Sequence, residues 1–354
     1  MPRPNRDGAE LAARAVGRPK RDEVELAALA LRVQEQRAQE LQDVGYLGRL
    51  FTQFSLPYKD PGDDKTAWGR ESGNYRITVQ PGMVVENGVP HSYGFPFGGI
   101  PRLVLAHLST EAVLRGEPVI ELGHSQSEFM RTVGLGRATG GKSGTIGRFQ
   151  NQTERLLRSN ITIDFKDRYA KERSTAIKLS IADNWDLWWI TDPDGSRRPV
   201  RRRKGDDQLS LLDNKASTIT LSAKFFEEVM AHPVPVDMKV LNLLQSSPMA
   251  MDIYIWLTYR MFNLKDPVLI SWPLLMLQFG TNLADTKQGR HQFRRDFKKH
   301  LQTIKPFYPD LRVEVIERAE GNDGNDRDEK TGLLLYPSPT HVVQKPPRRL
   351  RAIS

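Results

Sequence analysis

Residues 125–160 read SQSEFMRTVGLGRATGGKSGTIGRFQNQTERLLRSN, and this stretch decides the fold. Ser125 and Glu128 have the spacing of a capping box, which predicts a helix that runs to Val133 and stops at Gly134. A glycine-rich turn follows, and apolar residues then recur at helical spacing over 145–160. Two helices joined by a short turn that contains glycine are typical of a helix-turn-helix.

The segments on either side extend this motif into a larger unit. Upstream, 102–114 has the pattern of a helix with Pro101 in its first turn, and 118–122 is a candidate strand. Downstream, the β-branched runs 161–165 and 175–181 predict a hairpin. This order of elements is that of a winged helix-turn-helix domain: helix, strand, helix, turn, helix and hairpin. In such a domain the second helix of the helix-turn-helix motif enters the DNA major groove.

The same order recurs in the second half of the chain. Ser247-Pro248 supplies an N-cap and a first-turn proline for a helix that is almost wholly apolar and therefore central in a core. The predicted elements are this helix to Phe262, a strand at 268–270, helices at 273–279 and 288–304, and a hairpin of 311–317 and 332–336. We therefore expect an α+β fold with two tandem winged helix-turn-helix domains.

Composition and pattern divide the chain into five segments. The start is rich in Arg, Lys, Pro and Gly, which predicts a disordered basic arm followed by a short helix. The predicted segments are the helical and disordered arm at 1–44, the first winged-helix domain with N-terminal strands at 68–190, a basic linker at 191–215, the second winged-helix domain at 216–340 and a basic tail at 341–354.

The overall charge favours an anionic partner. The formal net charge is +9, so either nucleic acid is bound or basic residues are scattered for solubility, and their placement must decide. The absence of cysteine excludes disulfides and thiolate metal sites and agrees with a reducing cytoplasm. Histidines are dispersed and no run of about 18 apolar residues occurs, so we expect a cytoplasmic protein with no metal, no cofactor, no catalytic residue and no membrane partner.

The predicted helix at 288–304 separates apolar residues from basic ones. Its apolar stripe consists of Phe293, Phe297, Leu301 and Ile304, and the opposite face consists of His291, Arg294, Arg295, Lys298 and Gln302. An ordinary solvated helix usually alternates charge signs, yet Asp296, at the edge, is the one acidic residue near this face. The pattern favours DNA binding over a solvated face.

The helix predicted at 145–160 repeats this arrangement less strongly. Its inward stripe consists of Ile146, Phe149, Thr153, Leu156 and Leu157, and its outward stripe of Arg148, Asn151, Gln152, Arg155 and Arg158. Arg can hydrogen-bond guanine edges, and Asn or Gln can hydrogen-bond adenine. The outward stripe therefore has the chemistry of base and phosphate contact.

Gly136-x-x-x-x-Gly141-Lys142-Ser143 matches the P-loop pattern, which raises the alternative of an ATPase. A P-loop requires a buried strand before its first glycine, whereas the preceding segment is polar, capped and helical in period. We therefore interpret the loop as the turn of the helix-turn-helix, with Lys142 and Ser143 near DNA phosphates.

A short apolar peptide, Gln208-Leu209-Ser210-Leu211-Leu212, lies in the polar linker. It resembles the peptide with which many bacterial replication proteins dock on the polymerase sliding clamp, with Gln208, Leu209, Leu211 and Leu212 as the contact residues. Packing of these leucines on the second domain is an equally good interpretation, and the sequence leaves both open.

A long and ordered set of residues within 68–340 resembles the family of plasmid-encoded RepA-type replication initiators. The matching residues are Pro101-Arg102, Thr110-Glu111-Ala112, Glu128-Phe129-Met130, Thr139-Gly140-Gly141, Pro233-Val-Pro-Val-Asp237, the run SPMAMDIYIWLTYR at 247–260, Trp272, Gln278-Phe279-Gly280, Phe293 and Phe297.

This resemblance implies a function and a set of partners. It implies sequence-specific binding to repeated sites in double-stranded plasmid origin DNA, opening of the adjacent duplex, and recruitment of host DnaA and helicase, without catalysis. Members of the family can also form a homodimer through the first domain and repress their own gene. A plasmid transcriptional repressor therefore remains an alternative, because winged helices alone do not separate the two roles.

Overall fold

The computed structural model describes residues 43–342 except 63, 73–74, 137, 142–143, 166–174, 188, 192–196, 200–215, 281–282 and 318–329. Within these residues the chain forms eight α-helices, two 3₁₀-helices and sixteen strands, and every strand pairing is antiparallel. The α+β class is thereby confirmed. The predicted basic arm, most of the linker and the predicted tail beyond Val342 lie outside the described residues.

The first half of the chain contains three helices and eleven strands among its described residues. The elements are β1 Val44–Gly48, β2 Trp68–Ser72, β3 Tyr75–Gln80, β4 Met83–Glu86, β5 Val89–Ser92, α1 Gly99–Arg115, β6 Val119–Glu121, α2 Gln126–Thr132, α3 Thr145–Arg158, β7 Asn160–Phe165, β8 Thr175–Ser180, β9 Ala182–Asp186, β10 Trp189–Thr191 and β11 Arg197–Pro199. A 3₁₀-helix at Arg49–Thr52 follows β1 directly.

The second half is richer in helix. Its elements are β12 Thr218–Leu221, α4 Ala223–Ala231, β13 Pro233–Asp237, α5 Met238–Leu243, α6 Pro248–Asn263, β14 Val268–Ser271, α7 Trp272–Phe279, α8 Lys287–Ile304, β15 Val313–Ile316 and β16 Gly332–Leu335. The second 3₁₀-helix, Lys305–Phe307, continues α8. The predicted helices that fall within the described residues are present, with ends within three residues of those predicted, and the short helix predicted in the arm lies outside the described residues.

The two halves arrange equivalent strands differently. In the second half, β14, which follows α6, pairs with β16, and β16 pairs with β15, so the hairpin folds back onto the preceding strand. In the first half, β7 and β8 form a hairpin within the sheet β2-β3-β7-β8. The strand β9 continues this hairpin. The strand β12 lies between β6 and β9 and pairs with both.

The halves share one buried core. The strand β1 pairs with β13 along its whole length, from Val44 opposite Asp237 to Gly48 opposite Pro233. A single cluster of buried hydrophobic residues extends from Tyr46 in β1 to Leu335 in β16. Neither β1 nor β13 was predicted, because two glycines interrupt the strand pattern of β1 and two prolines interrupt that of β13. A two-stranded sheet accommodates prolines whose nitrogens face away from the partner strand.

A buried ion pair joins α1 to α6. The guanidinium of Arg102 donates through Nε and Nη2 to the two carboxylate oxygens of Asp252, each at 2.7 Å. The same guanidinium donates to the carbonyl oxygens of Leu56 at 2.7 Å and Gly98 at 2.6 Å. Arg102 therefore ties together a loop, the start of α1 and the central helix α6.

Buried His107, in α1, makes the stability of the fold depend on pH. The side chain packs edge-on against Phe129, and burial lowers the pKa of His107 to about 4. The usual unfolded-state value is about 6.5. Because the unfolded chain binds the proton at higher pH, the contribution is complete above pH ~6.5 and is lost as the pH falls towards 4.

We expect this group to remove up to about 3 kcal/mol of unfolding free energy on acidification from pH 7 to 4. His107→Gln cannot titrate and should flatten that part of the profile. Urea unfolding at several pH values measures the difference between the two proteins. Parallel profiles in the two proteins would contradict the assignment to His107.

Candidate nucleic-acid interface

Helix α8 rests on a cluster of buried aromatic rings. Phe297 is fully buried, and its ring centroid lies 5.8 Å from that of Trp272 and 5.7 Å from those of Phe279 and Phe293. The helix begins with Thr286 as N-cap, whose side chain accepts a hydrogen bond from the backbone N–H of Gly289. This seating fixes which face of α8 points to solvent.

The opposite face of α8 carries the predicted basic residues. His291, Arg295 and Gln302 are exposed, and Arg294 and Lys298 are half-buried. The guanidinium of Arg294 lies 5.9 Å from the ring centroid of Trp272. Arg295 donates a hydrogen bond to the side-chain carbonyl of Gln292, whose amide in turn donates to Asp296. The structure thus brings all five predicted side chains to one face.

The neighbouring hairpin adds an acidic residue to this face. Lys298 Nζ lies 2.5 Å from Glu317 Oε1, just after β15, and this hydrogen bond lowers the pKa of Glu317. Glu317 lies outside the helix, so the charges along the sequence of α8 could not indicate this pair. Both partners remain accessible to solvent, so an anionic partner can compete for Lys298.

Helix α3 differs from the prediction. Its inward residues Phe149, Thr153, Leu156 and Leu157 are buried as expected, and Arg148 is exposed. The outward placement of Gln152 is wrong: this side chain is 6% exposed, and its Oε1 accepts the backbone N–H of Phe97 at 2.7 Å. The segment before α1 covers this part of α3, a contact that no periodicity within α3 could indicate.

The same segment engages two of the predicted arginines. Arg155 Nη1 lies 2.8 Å from Asp60 Oδ2 and 3.2 Å from the carbonyl oxygen of Phe95. Arg158 lies over the rings of Tyr93 and Trp185, with 4.8 and 5.5 Å to their centroids. Arg148 and half-buried Asn151 are therefore the most available members of the predicted stripe, and DNA contact by the others stays a prediction.

The turn between α2 and α3 is closed by two threonines. Thr139 N–H donates to Thr145 Oγ1 at 2.9 Å, and Thr145 N–H donates to Thr139 Oγ1 at 3.1 Å. The element that precedes this turn is the helix α2, capped by Ser125 as predicted, and not a strand. Lys142 and Ser143 themselves lie outside the described residues, as do Gln208, Leu209, Leu211 and Leu212.

A cleft that no sequence pattern indicated lies beside α8. It has a volume of about 700 Å³ and separates strands β2 and β3 from helices α7 and α8. Its walls include Arg70, Arg76, Trp272, Met276 and Arg294. The cleft was missed because β2 carries no strong strand pattern and is distant in sequence from α8.

The described part of the chain contains no group of three His, Asp or Glu side chains placed to hold a metal ion. None of its helices is long and apolar enough to cross a membrane.

These features define a mixed α/β protein that presents a basic helical face seated on an aromatic core. The family model described as plasmid encoded RepA protein matches residues 95–273, half of the chain. The chain belongs to this family of replication initiators.

The chain is also similar to solved structures of RctB. A crystal structure of selenomethionine derivatives of its domains 2 and 3 is 12% identical, covers 84% of this chain and 97% of that chain, and has a TM-score of 0.45. A second crystal structure of RctB domains 2–3 is 12% identical, covers 76% and 92% of the two chains, and has a TM-score of 0.42. No curated protein matches the chain.

Proposed function

We propose that this replication initiator binds repeated sites in double-stranded plasmid origin DNA sequence-specifically through two winged helix-turn-helix units. The observation that carries the proposal is the basic face of α8, opposite a stripe of buried phenylalanines and next to the β15–β16 hairpin. In a winged helix, the second motif helix enters the major groove and the hairpin flanks it.

The order of elements supports two such units. The second comprises α6, β14, α7, α8, β15 and β16, and its three strands form one sheet in the order β14-β16-β15. The first comprises α1, β6, α2, α3, β7 and β8, with β12 inserted beside β6. We assign the larger share of base contact to α8, because three arginine or glutamine side chains of α3 are held within the protein.

The proposal includes the consequences of DNA binding. Family membership supports opening of the origin duplex, recruitment of host DnaA and helicase, and homodimerisation through the first unit. The sliding clamp is a further proposed partner, and this part of the proposal rests on the sequence of the 208–212 peptide alone. We propose a cytoplasmic binding protein that catalyses no reaction. The helix that precedes the Gly136 loop supports this, since a P-loop follows a strand.

Arg295→Ala should weaken binding to an origin fragment by about 1–3 kcal/mol if the side chain contacts a base, because a lost bidentate contact costs this much. Arg295 is 65% exposed, so its removal should leave the fold intact. Fluorescence anisotropy at fixed salt measures the affinity, and footprinting locates the site.

The matched control is Arg115→Ala, at the far end of α1, where the arginine pairs with Glu111. This variant should bind like the wild type. An unchanged affinity and footprint in both Arg295→Ala and Arg294→Ala would remove α8 from the interface. Replication of an origin-only plasmid with the gene supplied in trans separates an initiator from a repressor, since a repressor alone would not support it.

A further inference from the structure

The cleft between the β2–β3 strands and the α7–α8 helices carries excess positive charge. Four arginines line it, Arg70, Arg76, Arg290 and Arg294, against two carboxylates, Glu71 and Asp285. Each carboxylate already faces another arginine: Glu71 lies 3.0 Å from Arg76, and Asp285 lies 2.6 Å from Arg290. The cleft wall therefore has a net charge of about +2 that its own acidic residues do not neutralise.

Arg70 is the arginine whose charge is least compensated. Its side chain is half-buried, and this burial lowers its pKa. The guanidinium donates to the backbone carbonyl of Met276 at 2.8 Å, and no carboxylate of the described residues pairs with it. Its Nε is enclosed without an acceptor among the described residues. A guanidinium stays charged in proteins, so an anion that enters the cleft would meet a positive charge that no carboxylate of the described residues compensates.

The nearby phenol does not supply the missing charge. Tyr58 interacts electrostatically with Arg70, but burial, together with Asp252, raises the pKa of Tyr58 far above its usual value. The phenol is therefore neutral at physiological pH. The carboxylate of Asp252 is bound by Arg102 through both oxygens.

The cleft is continuous with the basic face of α8. Arg294 belongs to that face and also lines the cleft, where its guanidinium lies over Trp272. Arg295, the next residue, is exposed. An anionic chain that lies along α8 would thus pass the mouth of the cleft, and phosphodiester groups are spaced regularly along such a chain.

We propose that this cleft is a phosphate-binding site anchored by Arg70, and that the phosphate belongs to the backbone of the DNA bound by α8. The inference rests on the proposed function. It assigns the N-terminal β2–β3 strands to the same DNA segment as the second unit, so that both halves of the chain hold one stretch of duplex. A free nucleotide offers the same phosphate chemistry, and the test separates the two sources.

The test uses the full-length chain and measures affinity for an origin fragment and for a non-origin fragment over a range of salt concentrations. Arg70→Met removes the charge and keeps most of the side-chain length. We expect weaker binding to both fragments by a similar factor, with a log–log salt slope smaller by about one. Arg70→Lys should retain the wild-type slope, and the exposed control Arg115→Met should leave both affinity and slope unchanged.

Calorimetric titration with ATP and with inorganic phosphate supplies the second arm. Weak or undetectable binding of both, together with the reduced slope in Arg70→Met, supports the DNA backbone as the source. Binding of ATP that Arg70→Met abolishes, with an unchanged salt slope for DNA, would assign the cleft to a nucleotide and overturn the proposal.

Two further outcomes are distinguishable. Wild-type binding to the origin with an unchanged slope in Arg70→Met overturns the phosphate site and leaves the proposed function intact. Failure of the wild-type chain to bind the origin fragment refutes the proposed function and, with it, the inference. If circular dichroism shows that Arg70→Met does not fold, the uncharged polar variant Arg70→Gln takes its place in a methylphosphonate scan: one neutralised phosphate should lose its wild-type penalty in this variant, and an unaltered scan overturns the proposal.

Discussion

Asp252→Ala should lower the free energy of unfolding by about 3–5 kcal/mol, because it leaves the charge of Arg102 buried without a counter-ion. The two side chains are 4% and 9% exposed, and two 2.7 Å hydrogen bonds join them. A water molecule in the space left by the carboxylate accepts hydrogen bonds from Arg102 but does not supply the lost negative charge. Urea unfolding followed by circular dichroism measures the loss.

A variant without either charge separates the effect of the unpaired charge from that of lost packing. Arg102→Met with Asp252→Leu removes both charges, so the double variant should be more stable than the Asp252→Ala protein despite the two larger changes. Glu111→Ala breaks an exposed i,i+4 pair with Arg115 and should cost at most about 0.5 kcal/mol. Equal losses in Asp252→Ala and Glu111→Ala would show that the buried pair has no special role.

The ion pair of Arg102 and Asp252 could not be predicted from local sequence patterns. Arg102 and Asp252 both lie in stretches that were singled out by their resemblance to the initiator family, yet they are 150 residues apart, and no local pattern connects them. The same holds for β1 and β13. Local periodicity predicted α1, α6 and α8 because a helix repeats its own apolar stripe every three to four residues.

The candidate interface likewise has a part that could be predicted from the sequence and a part that could not. The face of α8 was predictable, since its five polar side chains alternate with buried Phe293, Phe297, Leu301 and Ile304 on one helix. Three other contacts were not predictable, because each depends on a partner from another element. They are the contacts of Gln152 with Phe97, of Glu317 with Lys298 and of Arg70 with Met276. A helix periodicity reports which side is apolar and does not report what covers the polar side.

Phe297→Ala should also lower the free energy of unfolding by about 3–5 kcal/mol, through lost burial and the cavity that remains. The ring is fully buried and contacts three other aromatic rings, those of Trp272, Phe279 and Phe293. These neighbours belong to α7 and α8, so the cavity loosens the contact that orients the basic face of α8. Urea unfolding measures the stability, and anisotropy with an origin fragment measures the affinity well below the unfolding midpoint.

Phe262→Ala is the matched control, because the same atoms are removed from a side chain that is 59% exposed at the end of α6. Its stability should stay within about 0.5 kcal/mol of the wild type. If the aromatic cluster positions α8, Phe297→Ala weakens DNA binding even where the protein is fully folded, whereas Phe262→Ala does not. A destabilised Phe297→Ala protein with wild-type affinity would instead mean that α8 keeps its orientation through its other contacts, including the stacking of Arg294 on Trp272.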